Sequence, residues 1–197
     1  MIRIVLFGGP GVGKGTQAAV LSARYSIAHI STGDLLRQER QEKTELGLRA
    51  SEYIDAGTLV PDELILDMVS KRLTQPDCAN GYILDGFPRT VAQAEAMEAR
   101  SIGVDVVVSF ELDDKIMAQR ILGRAEEAKA AGQSVRPDDL NKDVIATRIK
   151  TFNETTKPVK NYYVSQNLLE EVDGSPAKEE VTKLAIEKID ESIKVKK

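Results

Sequence analysis

Nine residues near the amino terminus, Gly8-Gly9-Pro10-Gly11-Val12-Gly13-Lys14-Gly15-Thr16, are of the types that wrap an anion. Five of the chain's 14 glycines fall between Gly8 and Gly15. Glycine permits positive φ angles and lets successive backbone N–H groups turn inward on a phosphate. The run follows an apolar strand, Ile2 to Phe7, and opens a helix expected from about Lys14 to Tyr25. The helix N-terminus adds the positive end of its dipole, and Lys14 adds a full charge. Strand, glycine turn and helix together are the context that a phosphate-binding loop requires, whereas a plain glycine turn beside a solvated lysine requires none of it. One departure stands out. Gly15 occupies the place after the lysine where Ser or Thr usually holds magnesium, and Thr16 comes one residue later.

An acid and a set of arginines follow. The apolar run Tyr82 to Asp85 ends in an aspartate and continues as Gly86-Phe87-Pro88-Arg89. A carboxylate at the end of a strand next to a phosphate loop is placed for metal chelation; the plainer alternative is an Asp-Gly turn. Arg120 and Arg124, four apart, share one helical face. Arg136 falls in a polar insert, Arg148 in the next helical stretch, and Arg37 and Arg89 after other strands. Guanidinium forks suit the charge on a phosphoryl group in transfer, yet a lone arginine is ordinarily a surface ion-pair partner, and spacing alone does not show convergence. His29, the only histidine, is expected to pack or hydrogen-bond within its strand. Cys78, the only cysteine, is expected to be inert and excludes a disulfide framework or a cysteine-based zinc site.

The elements that must position these residues alternate along the chain. Apolar runs at Ile2–Phe7, Ala28–Ser31, Tyr82–Asp85, Val104–Glu111 and Leu168–Val172 read as buried strands. Between them lie helical stretches around 33–41, 45–56, 61–75, 91–100, 113–130 and 141–156, with a closing helix after Pro176 and a solvated tail over 178–197. This order predicts a three-layer α/β P-loop fold, a five-stranded parallel sheet flanked by helices. The 197 residues suit a single domain, 1–197, with excursions at Gly33–Gln75 and 131–139. The 27 basic and 31 acidic residues give a net charge of −4, which argues against bulk nucleic-acid or anionic-membrane binding. No apolar run approaches membrane-spanning length and the first is too short for a signal-peptide core, so a cytoplasmic location is expected.

Taken together, GGPGVGKGTQ, STGDLLR (Ser31 to Arg37), LVPDELI (Leu59 to Ile65), GYILDGFPRT (Gly81 to Thr90) with Gln93, and the Gly123-Arg124 pair closely resemble the adenylate kinase family over nearly the whole chain. The resemblance implies reversible phosphoryl transfer from MgATP to AMP, giving two ADP. By that likeness Gly11, Val12, Gly13, Lys14, Gly15 and Thr16 hold the ATP phosphates, and Lys14 also stabilises charge in flight. Arg124 contacts the ATP side, and backbone near Pro176, with Arg120 beside it, lines the adenine. Thr32, Arg37, Thr58, Leu59, Val60, Gly86, Phe87, Pro88, Arg89 and Gln93 match the AMP pocket, and Arg136 and Arg148 match arginines that close over the phosphates. Lys14, Arg89, Arg124, Arg136 and Arg148 would be the catalytic set. Magnesium is held through water with Asp85 behind it, so Gly15 after the lysine is expected.

The same likeness divides the domain into a core (1–30, 61–124, 139–197), an AMP-binding flap (31–60) and a short lid (about 125–138). The stretch Gly123–Asn141 is short and lacks cysteine, which implies no zinc. A monomer is expected, with ATP, AMP and ADP as its ligands and no nucleic-acid or membrane partner. The nearest alternative is a uridylate–cytidylate kinase, but such relatives tend to carry Ala at the place of Thr32 and Asn at the place of Thr90, and Gln93 can pair with an adenine edge. A nucleotide switch is the alternative from another class. It would need neither STGDLLR nor DGFPR, and no guanine-reading Asn-Lys-x-Asp run is present, since Asn141-Lys142 leads into Asp143-Val144.

Overall fold

The computed structural model describes residues 1–195, and Lys196 and Lys197 of the expected tail lie outside them. Five strands, β1 (Ile2–Gly8), β2 (Ala28–Ser31), β3 (Gly81–Asp85), β4 (Val106–Glu111) and β5 (Leu169–Asp173), form one sheet in the order β2-β3-β1-β4-β5. Every pairing is parallel, with Ile4 facing Ile83 on one side and Val106 on the other. The central strands are apolar on both faces because both are covered. Ile4, Leu6, Ile83, Val106 and Val108 pack against α1 (Lys14–Tyr25) and α9 (Lys178–Val195). Val5, Phe7, Leu84 and Val107 point the other way, as the two-residue strand period requires. They meet α4 (Asp62–Leu73), α5 (Val91–Ala99) and α8 (Val159–Ser165).

Two excursions leave this core. After β2 the chain forms α2 (Thr32–Gln41) and α3 (Glu45–Ala56), capped by Ser31 and Thr44 side chains that accept from Asp34 and Gly47 N–H groups. After β4, α6 (Asp114–Ala130) and α7 (Lys142–Thr151) pack through Met117, Ile121, Ile145 and Ile149, with a loop and the short turn Pro137–Asp139 between them.

Several boundaries differ from expectation by a residue or two, and two of the differences have a visible cause. β4 begins at Val106, not Val104; Asp105 is occupied by Arg3, whose backbone N–H (2.8 Å) and guanidinium (2.7 and 3.0 Å) donate to its carboxylate. The helix expected to continue to Thr156 is regular only to Thr151, and Phe152–Thr156 is a π turn in which the Lys157 N–H reaches Phe152 O at 2.7 Å. Pro158 explains it. In a regular helix its ring would strike the Glu154 carbonyl, and a wider turn relieves that contact.

Candidate active site

The five strands end on one side of the sheet, where loops open a crevice. At its centre, β1 runs into the glycine loop. Gly11 has φ +81°, and a Cβ there would sit 2.6 Å from Met117 O. Gly13, at φ +97°, is the N-cap of α1 and offers no side chain to the helix, so the first amides of α1 stay available to an anion. Lys14 Nζ donates to Gly8 O (2.7 Å) and Gly9 O (2.9 Å). Desolvation pushes the Lys14 ammonium down from 10.5 to about 8; Asp85 opposes this and Arg89, Arg148 and Arg124 reinforce it.

Asp85 closes β3 beside this loop, with its Oδ2 3.5 Å from His29 Nε2. Burial raises its pKa, but His29, Lys14 and Arg89 outweigh burial and hold the carboxyl below its ordinary value. His29 therefore packs in β2 as expected, and also lines the cleft. A Cβ on Gly15 would lie 3.6 Å from Asp85 Oδ2, so the glycine leaves the space between helix start and carboxylate open.

Opposite the loop stands a wall of arginines. The cleft, about 440 Å³, is lined by Gly11, Gly13, Lys14, Gly15, Thr16, Asp85, Gly86 and Pro88 together with Arg37, Arg89, Arg124, Arg136 and Arg148. Five separate segments supply these guanidinium groups. Arg89 sits at the base, exposed to the cleft but enclosed by protein, with Nε donating to Gly86 O at 2.7 Å. Desolvation lowers its pKa despite Asp85, and Arg148 and Arg37 lower it further. The Arg136 pKa is lowered by desolvation first and by Arg37 and Arg124 next. Such crowding of cations is unfavourable alone and becomes favourable against a polyphosphate.

A second cavity of about 110 Å³ opens from the first, and Arg37, Leu59, Gly86, Arg89 and Arg148 line both. Thr32, Thr58, Val60 and Gln93 also line it. Thr32 Oγ1 donates to Gly86 O at 3.0 Å.

Four of the expected residues do not line either cavity. Val12 and Phe87 are buried in the core, so only their backbone is near the site. Arg120 donates to Gly174 O (2.9 Å) and Ser175 O (3.3 Å), which fixes the loop leading to Pro176. The structure also adds residues that sequence reasoning missed. Asp139, 1% exposed, accepts two bonds from Arg124 (2.9 and 2.8 Å) and one from Arg148 (2.9 Å). Asp138 pairs with Arg148 at 2.8 Å, and Asp34 with Arg37 and, at 3.7 Å, Arg136. The only signal for Asp138 and Asp139 was an Asp-Asp pair two residues after Arg136, which reads equally well as a solvated turn, while Asp34 lies unremarked inside STGDLLR.

A glycine cradle at a sheet's carboxyl edge, facing a cation wall and a second pocket, is the arrangement of a P-loop phosphotransferase. The chain matches the family model for adenylate kinase over residues 6–168. It is 46% identical to an adenylate kinase of Chelativorans sp. over 92% of this chain and 95% of the relative, and 45% identical to one of Mesorhizobium japonicum over 92% and 93%. An adenylate kinase of Lachnoclostridium phytofermentans is 40% identical over 88% and 91%. The chain belongs to the adenylate kinase family and is thus a nucleoside monophosphate kinase. These relatives do not favour the uridylate–cytidylate alternative.

Proposed function

We propose that the cleft binds ATP and AMP end to end and moves the γ-phosphoryl group reversibly between them, yielding two ADP. The observation that carries this reading is that the loop cavity and the Thr32–Gln93 cavity share one arginine-lined boundary. The loop amides and Lys14 take the triphosphate; the smaller cavity takes AMP, with Arg37 and Arg89 on its phosphate. Arg124, Arg136 and Arg148 face the junction, where they offset charge on the phosphoryl group in flight. Phosphoryl transfer needs little covalent help once donor and acceptor oxygens are in line, so holding both nucleotides and excluding water is most of the task.

The donor set suits magnesium held with the substrate. Among the described residues no cluster of three His, Cys, Asp or Glu could hold a metal alone. Asp85, an ionised carboxylate facing the open space at Gly15, fits an ion held mainly by phosphate oxygens and water. Magnesium there would offset charge on the β- and γ-oxygens. The segments 31–60 and about 125–138 serve as a flap over AMP and a short lid over ATP, each carrying an arginine into the cleft.

A coupled assay of ADP formed from ATP plus AMP, with and without magnesium, tests the reading. ADP production that needs both nucleotides is expected, together with tight binding of two adenosines joined through five phosphates. ATP hydrolysis indifferent to AMP would overturn it.

A further inference from the structure

Gln93 lines the smaller cavity but is only 2% exposed, and its amide is already engaged. Oε1 accepts from the Arg89 backbone N–H at 2.6 Å, and Nε2 donates to Asp62 Oδ1 at 2.6 Å. The second Asp62 oxygen accepts from the Thr90 hydroxyl at 2.8 Å, and Thr90 caps α5 by accepting from Gln93 N at 3.0 Å. A backbone N–H only donates and a carboxylate only accepts, so these neighbours dictate which end of the amide is oxygen. Reversing the amide would set N–H against N–H and oxygen against oxygen.

Each end of the Gln93 amide keeps one further hydrogen-bonding position: an acceptor on Oε1 and a donor on Nε2. An adenine edge offers the matching donor at its 6-amino group and acceptor at N1, whereas a 6-oxopurine offers the reverse. From this we infer that Asp62 is a specificity-determining positioning residue: together with the Arg89 N–H it locks the Gln93 amide in the orientation that reads 6-aminopurine monophosphates and rejects 6-oxopurine ones. The inference rests on the reading of the smaller cavity as the monophosphate pocket.

The test compares kcat/KM for AMP and IMP in wild type and Asp62→Asn. The asparagine keeps the size of the side chain but can donate as well as accept, so it removes one of the two constraints on the amide and leaves only the Arg89 N–H. The AMP-to-IMP ratio should fall by about tenfold, the loss expected when one charged partner stops discriminating. A structural defect alone would lower both rates together, and an unchanged ratio overturns the inference. If wild type itself shows no AMP-dependent activity, the pocket assignment has failed instead. Should Asp62→Asn not fold, NMR of the wild type gives a second reading. One Gln93 carboxamide proton should exchange slowly, and fast exchange of both would overturn the lock.

Discussion

The two walls of the cleft are built from different materials. The loop wall is main chain: consecutive amides between Gly8 and Thr16, fixed by positive φ angles and by packing of Gly11 against Met117. The arginine wall is side chain, drawn from α2, the turn after β3, α6, the loop before Pro137 and α7. Backbone amides carry no net charge and need no counter-ion, so the loop holds its shape by itself. Arginines repel one another, and here acids hold several of them: the buried Asp139 takes Arg124 and Arg148, and the exposed Asp34 takes Arg37. A pre-formed cradle thus faces a wall of charges whose partners must be weighed against the substrate's phosphates.

If the loop wall depends on one charge added to its amides, Lys14→Met should remove most of the turnover. A loss of at least about a thousandfold in kcat is expected, with circular dichroism and thermal unfolding little changed, since the lysine bonds only to two loop carbonyls. Near-normal activity would break the comparison at its stronger side. The arginine wall should fail more gradually. Asp139→Asn removes the carboxylate that orients two guanidinium groups, and kcat should drop by about ten- to a hundredfold while KM for AMP changes less. The same change should cost about 1–3 kcal/mol of stability by thermal denaturation, because three charge-assisted hydrogen bonds to a buried acceptor are weakened.

That difference also explains what could be read in advance. The loop is local: nine consecutive residues carry its strand, turn and helix start, so both its chemistry and its context were visible. The parallel sheet was legible for the same reason, since Val106-Val107-Val108 and Ile4-Val5-Leu6 are apolar on both faces. The arginine wall is non-local. Nothing in the spacing of Arg37, Arg89, Arg124, Arg136 and Arg148 distinguishes a converging set from five solvated residues; their convergence was inferred from resemblance, and the structure supplies it through the fold. Asp138 and Asp139 were missed because an Asp-Asp pair in a polar insert has no pattern of its own. Arg120 shows the limit of periodicity: it shares a helical face with Arg124, yet its guanidinium donates to the Gly174 and Ser175 carbonyls, a partner that spacing along the helix does not reveal. The π turn escaped because Pro158 acts on a carbonyl four residues earlier, beyond what helical periodicity registers.

The pH response should separate the walls a second time, as arginines do not titrate in the accessible range whereas Lys14 does. With its pKa near 8, the ammonium is present below that pH and lost above it. The kcat/KM for ATP should therefore fall as pH rises through about 8, by up to about tenfold per unit. Once ATP is bound its phosphates favour the ammonium, so kcat itself should hold to higher pH. Stability moves the other way. Between about 8 and the ordinary 10.5 the unfolded chain holds the proton that the folded chain releases, so Lys14 contributes rising stability with pH in that window. A kcat/KM profile flat to pH 9.5 would mean that Lys14 stays charged and that burial, with the arginines behind it, does not depress its pKa.

The smallest effect belongs to Arg120, which lies outside both walls. Its guanidinium donates to the Gly174 and Ser175 carbonyls, groups that sit on the loop between β5 and α9 and not on a phosphate. If this loop supplies backbone to the adenine of ATP, Arg120→Ala should raise KM for ATP by about three- to tenfold, the cost of two partly exposed hydrogen bonds, and leave kcat near its wild-type value. Steady-state kinetics with ATP varied at saturating AMP give the split. A fall in kcat comparable to that of Asp139→Asn would place Arg120 among the charges that act on the transferring phosphoryl group. The loop-supporting role read from its two carbonyl partners would then be incomplete, and the arginine wall would extend one helical turn further along α6.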